Sequence, residues 1–346
     1  MQDSLLTALM FVILLVLFLW KSVRKEGLFS FDKGYTNVLK GLSAIVVVFV
    51  HVAEPHHNAF SKMVMSFGFV AVTLFFMISA YGMQFSVNRD EKKYLSHFWR
   101  NRLASLLIPC VLINLCAALF GLYRGISGKE FLLALTNIPG FVSVLLQYCL
   151  LFFVVMFLHW KLKLKSTICY ALLIMGVAVS SLCLYFMSHS EISAQMGWCY
   201  ERIGLIWGLL LFLFLPYVAD FISKRRVAKT ALLGASSLLL GVAYIMNKTV
   251  FFYGEYLLKI ILGFSIILFL FVVTQKRNYG NAAITHLGNI SYEIYLSHGL
   301  VMRIVGLCFP NLSSAAFLWL SIILILIFST VIHLLSAKLV ALARSR

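Results

Sequence analysis

Charge is the scarcest property of this sequence. Only 12% of its 346 residues are Asp, Glu, Lys or Arg, about half the ~25% usual in soluble domains, while 62% are hydrophobic. No polar segment longer than a loop remains to build a second globular domain. Internal repeats, low-complexity tracts and long linkers are absent, so the architecture is a single bundle. There is no CxxC and no His/Cys cluster at metal spacing. Six of the seven cysteines fall in apolar runs and only Cys199 in a loop, so neither a disulfide framework nor a structural zinc site is expected.

What is present is a series of long apolar runs. The cleanest, 63–88, lies between Lys62 and Arg89, and a run of this length reads as a membrane helix. Eleven spans are predicted: 4–20, 38–53, 63–87, 103–123, 140–160, 166–187, 203–219, 229–246, 256–274, 289–308 and 314–335. The expected fold is all-α and polytopic, one bundle of about 10–11 transmembrane helices in contact with membrane lipid.

The formal charge of +17 would suggest nucleic acid in a soluble protein. Here 22 of the 29 Lys and Arg residues fall in alternate connections, around 21–40, 89–102, 161–165, 224–229 and 275–277 and in the tail from Lys338. That is the positive-inside bias. No nucleic-acid partner is expected; an N-terminus outside and a C-terminus in the cytoplasm are. The opening segment MQDSLLTALMFVILLVLFLW starts acidic and has no small-residue cleavage site, so it reads as a retained helix rather than a signal peptide.

A polar residue at bilayer depth points to function. Lys40 and His51 are eleven residues apart, so they lie within about 20° of one helix face and ~16 Å apart along it. This places Lys40 at the cytoplasmic mouth and His51 beyond the helix midpoint. A cation and a deeper imidazole suit a long ligand with a phosphorylated head and a reactive tail, which is the shape of coenzyme A. The competing reading is a snorkelling lysine and a hydrogen-bonded core histidine. His56 and His57 follow Glu54 and Pro55, but the proline breaks the helix that would align them with His51, so no metal site is expected. Ser291, Tyr295 and His298, at i, i+4 and i+7, form one polar stripe facing either a cavity or a neighbouring helix as interhelical glue. Arg202 is either a site residue or an interfacial anchor.

Several motifs occur in order: Lys40-x10-His51, Phe75-Phe76-x-x-Ser79, the arginine-bearing segment HFWRNRLASLLIPCV at 97–111, ERIGLIWGLLL at 201–211, and LGNISYEIYLSH at 287–298. Together they resemble acyltransferase family 3, a family of integral membrane acyltransferases, from about residue 35 to the C-terminus. The resemblance implies domain bounds of 1–34 for an extra N-terminal helix with its basic linker and 35–346 for a membrane acyltransferase domain. It implies a catalytic role for His51, donor binding by Lys40, Arg100 and Arg102, and supporting or substrate contacts from Phe76, Ser79, Arg202, Ser291, Tyr292, Tyr295 and His298. Three positions depart from the family pattern: Lys40 stands for arginine, Ala80 for glycine and Ser105 for the second of two arginines. Lysine lacks the bidentate fork of arginine, so a phosphate on Lys40 would be held less rigidly.

The expected activity is transfer of an acyl group, most simply acetyl, from cytoplasmic acyl-CoA to a hydroxyl of a cell-surface or lipid-linked glycan. The expected setting is the bacterial inner membrane. No cofactor is expected to be bound permanently, since acyl-CoA is a substrate, and no extracytoplasmic esterase-like domain is expected. A hydroxyl needs a base at neutral pH, and an imidazole, with an ordinary pKa of ~6.5, can be one; alternatively His51 carries the acyl group itself. Two other classes stay open: a transporter or flippase for a glycan precursor, and a scaffold with a decayed site. Broken helices in corresponding halves, the trace of inverted transporter repeats, are not visible in the sequence.

Overall fold

The computed structural model describes residues 2–24, 29–188, 198–224, 226–275, 277–279 and 281–345. Four of the basic residues counted above, Lys25, Arg225, Lys276 and Arg346, lie outside the described residues.

The chain is almost wholly helical. It opens with α1 (Gln2–Leu19), α2 (Lys33–Val50), the short α3 (Ala59–Ser66) and α4 (Phe69–Arg89). A two-turn α5 (Glu91–Ser96) leads into α6 (Phe98–Tyr123), and α7 (Gly128–Thr136) precedes α8 (Gly140–Leu162) and α9 (Ser166–Ser188). The second half holds α10 (Ile203–Leu213), α11 (Leu215–Ser223), α12 (Arg226–Asn247), α13 (Leu258–Thr274), α14 (Ala282–Asn289), α15 (Ser291–Cys308) and α16 (Ser314–Ser345). A short antiparallel pairing, β1 (Ser22–Arg24) with β2 (Arg277–Tyr279), was not expected from the sequence.

Among the described residues nine helices are long and apolar enough to cross a membrane, or ten if one bent pair is a single span. The bent pair corrects the straight span expected at 203–219: α10 and α11 meet at 86°. The cause is Pro216 in the first turn of α11, which cannot donate to a continuing helix. The tenth expected span, 289–308, is α15. Its 18 residues include Glu293, Ser297, His298 and Arg303, which keep it out of the apolar set. It is shielded instead by α2, α6 and α16, against which it packs.

The bundle has two ends. At the basic end Arg277 bonds Ser22 (2.8 Å), the Gln275 amide bonds the Ile222 carbonyl (2.9 Å), and Phe29 lies against Phe271. At the opposite end Asn58 bonds Thr7 (2.8 Å), the Ala315 N–H bonds Asp3 (3.0 Å), and His56 stacks flat on Phe317. The core between them is aromatic-rich: Phe49, Phe76, Phe152 and Phe317 are fully buried.

Two close contacts fix the helices that matter for the site. On α10, Gly204 and Gly208 lie so near α4 that a Cβ would come within 2.2 Å of the Thr73 and Met77 carbonyl oxygens. The spacing Gly-x-x-x-Gly is what lets two membrane helices approach backbone to backbone. At the basic end, a Cβ on Gly288 would sit 2.2 Å from the Asn37 carbonyl, and one on Gly41 would sit 3.0 Å from the Gly288 nitrogen. The Asn37 amide ties this contact to Thr285 and Asn289, each at 3.0 Å.

Candidate functional site

The glycine contact explains why His51 and His298 meet. Both α2 and the α14–α15 pair run from the basic end, and each histidine follows its glycine by ten residues, a rise of ~15 Å along α2. The two imidazoles therefore arrive at one level, with ring centroids 4.6 Å apart and planes at 60°. Sequence reasoning assigned each histidine a role without bringing them together.

His51 is not inside the helix as expected. It is the C-cap of α2, its backbone N–H bonding the Val47 and Val48 carbonyls, and it is exposed. The helix starts at Lys33, earlier than the predicted span, and ends before Pro55; this shifts His51 to the helix end and Lys40 about two turns inside. His298 is 9% exposed. The His51 Nδ1 is 2.9 Å from the Val47 carbonyl oxygen and the His298 Nδ1 is 2.6 Å from that of Tyr295. A carbonyl only accepts, so each neutral ring is assigned its proton on Nδ1, leaving a lone pair on each Nε2.

Tyr295 lies 5.8 Å from His298 and 4.6 Å from Phe141, and Phe76 stacks on Phe141 at 4.8 Å. The other motif residues serve the frame. The Ser79 hydroxyl donates to the Phe75 carbonyl (2.8 Å) and the Ser291 hydroxyl to the Gly288 carbonyl (2.8 Å). Tyr292 donates to the Leu106 carbonyl (2.8 Å), pinning α15 to α6. His56 is buried against Phe317, and the His57 Nε2 bonds the Val52 carbonyl (2.8 Å).

Arg202 is no interfacial anchor. It is 4% exposed, its Nε donating to the Trp198 carbonyl (2.9 Å) and an Nη to the Ser180 hydroxyl (3.1 Å). Beside it, Glu201 was overlooked in the sequence. Glu201 is 6% exposed and lines a cavity of about 230 Å³ together with His51, Trp198, Tyr200 and Lys259. Its Oε2 has no hydrogen-bond partner among the described residues. Burial pushes the carboxyl up to about 7.

The cations assigned to the donor have surroundings of their own. Arg102 is half-buried, donating to the Tyr94 hydroxyl (2.8 Å), with its guanidinium 5.9 Å from the Phe98 ring centre. Arg100, two residues away, is exposed, some 200° round the same helix. At Ser105, where the family pattern has arginine, the hydroxyl only back-bonds to the Asn101 carbonyl (2.8 Å). Lys40 is half-buried, and Glu293 is close enough to act on it electrostatically. Glu293 is a second acidic residue missed in the sequence. It is 4% exposed, one carboxylate oxygen accepting from the His333 Nδ1 (2.9 Å) and the Ser336 hydroxyl (3.4 Å). The signal was available: this chain has only 12 acidic residues, and these two directly adjoin motif residues.

The fold and site thus define a multi-pass helical membrane protein with a paired-imidazole centre at one end of the bundle. A family model described as an acyltransferase domain matches residues 33–335, and the chain belongs to that family of membrane acyltransferases. No curated protein and no solved structure matches it at significance.

Proposed function

We propose that this acyltransferase moves an acyl group, acetyl in the simplest case, from cytoplasmic acyl-CoA to a hydroxyl of a cell-surface or lipid-linked glycan. The observation that carries the reading is the meeting of His51 and His298, rings 4.6 Å apart, beside the cavity. The basic end is the cytoplasmic end, following the positive-inside bias. The CoA head then lies near Lys40 and Arg102, and its arm extends ~16 Å, the rise from Lys40 to His51, to present the thioester.

In this reaction the His51 Nε2 takes the proton of the acceptor hydroxyl as its oxygen adds to the thioester carbonyl. The C–S bond breaks, and the proton passes to the departing CoA thiolate. One thioester and one alcohol give one ester and one thiol. A route through an acyl group on His51 itself divides the same transfer into two steps. The test is transfer from radiolabelled acetyl-CoA by purified protein in proteoliposomes. His51→Gln should lose about 10²–10⁴ of the rate, the span for removing a general base. A fully active His51→Gln protein would exclude the reading.

A further inference from the structure

The cavity beside His51 has a chemistry of its own. On one side stand Val47 and His51 of α2, and on the other the segment Trp198–Glu201, with Lys259 of α13. Its volume, about 230 Å³, is on the scale of a single ring and far too small for a CoA molecule. The Tyr200 hydroxyl bonds the Glu201 carboxyl, but its buried Oε2 has no hydrogen-bond partner among the described residues, and a buried polar atom so placed calls for a ligand or water there.

The backbone at this wall is held in place at a cost. Trp198 has φ +76°, a left-handed conformation that a non-glycine residue rarely adopts without over-determination by its surroundings. Arg202 supplies one constraint by bonding the Trp198 carbonyl at 2.9 Å. Gly140 supplies another: a Cβ there would lie 2.4 Å from the indole nitrogen, so only glycine leaves the indole this position. Lys259 sits 4.0 Å from the Tyr200 ring centre, fixing the neighbouring aromatic by cation–π contact.

We infer that this cavity is the acceptor subsite: the Glu201 carboxylate accepts a hydrogen bond from a hydroxyl of the acceptor sugar, and Trp198 offers an aromatic face to the apolar side of the sugar ring. Sugars present C–H groups on one face and hydroxyls at their edge. An indole wall meeting a carboxylate matches both, and His51 on the same cavity reaches the hydroxyl to be acylated. Glu201 is a substrate-binding residue here and His51 the base. This inference rests on the glycan reading above.

The test uses the full-length protein in proteoliposomes, with [14C]acetyl-CoA and a panel of methyl glycosides and N-acetylglucosamine as acceptor probes. Glu201→Gln and Trp198→Ala should each raise KM for the sugar tenfold or more while leaving KM for acetyl-CoA unchanged. Glu201→Asp should recover part of the loss. A labelling experiment is independent of those variants. In a Cys183→Ser, Cys308→Ser background, Met65→Cys on the cavity wall should be protected from a charged thiosulfonate by the sugar but not by acetyl-CoA. Normal sugar KM in Glu201→Gln, or no sugar protection at Met65→Cys, overturns the subsite while the glycan reading stands. A wild-type protein that acylates a lipid alcohol or an amine but none of the sugars overturns both.

Discussion

Replacing Gly208 with alanine should open the seam between α4 and α10. The added Cβ would lie 2.2 Å from the Met77 carbonyl oxygen and 3.0 Å from the Ala80 Cβ, whereas ordinary contact begins near 3.4 Å. The helices must part by the difference, about 1.2 Å, because the obstacle is backbone and cannot rotate away. Overpacking of this kind costs ~1–3 kcal/mol, and close backbone approach is what holds apolar helices together in a membrane. The displacement also reaches the site, since Glu201 and Arg202 immediately precede α10. A ~1 Å misplacement of a substrate-orienting group can cost ~10²-fold in rate. Gly208→Ala should therefore unfold several degrees earlier in detergent and transfer acyl groups far more slowly, and Gly204→Ala, with the Thr73 carbonyl at 2.2 Å, should behave alike. Gly82→Ala is the control, because a Cβ there meets nothing within 4 Å. If Gly208→Ala melts and reacts like Gly82→Ala, the close α4–α10 contact is wrong.

Three further outcomes follow from the site. Glu201 has a folded pKa of about 7, raised by burial, against ~4.3 in an unfolded chain; the folded state holds the proton more tightly, so this group lowers stability as pH rises from ~4.3 through 7. Glu201→Gln cannot titrate, so its thermal stability should exceed that of the wild type most above pH 7 and least near pH 4.5, and a pH-independent gap would refute the assignment. If Arg102 faces the donor, Arg102→Ala should raise KM for acyl-CoA while Arg100→Ala, at an exposed position, leaves it nearly unchanged; Lys40→Arg should be tolerated or bind the donor better, arginine adding a second hydrogen bond to phosphate, and equal effects of Arg100→Ala and Arg102→Ala in a steady-state assay would argue against this donor end. A reporter active only in the cytoplasm should give signal when fused after Arg346 and none when fused before Met1; signal from both would mean an even number of spans.

Much of this protein is local and therefore legible in the sequence. A twenty-residue apolar run becomes a helix wherever its partners stand, because in lipid the backbone must satisfy its own hydrogen bonds. Hence the all-α bundle and most of the span positions could be read directly. The motif order led to the family that the match over residues 33–335 establishes. The span at 289–308 is less apolar than the others, and α15 carries Glu293 and His298 within the bundle because α2, α6 and α16 cover it. The bend at Pro216 was signalled by the proline, but its 86° angle depends on what α11 packs against.

The site itself belongs to the tertiary structure. His51 and His298 are brought together by backbone contact between Gly41 and Gly288, and a sequence shows two glycines without showing that they touch. The sequence left Arg202 open between a site residue and an interfacial anchor, because an arginine at a helix start fits either. Only the packing of α9 and of Trp198 against it shows the guanidinium buried and bonded. Glu201 opens the stretch ERIGLIWGLLL but had no role assigned there; its significance is that its Oε2 is buried without a partner among the described residues, in a cavity shared with His51. Periodicity can assign a side chain to a face of its own helix, but which faces meet depends on close packing among helices distant in the chain.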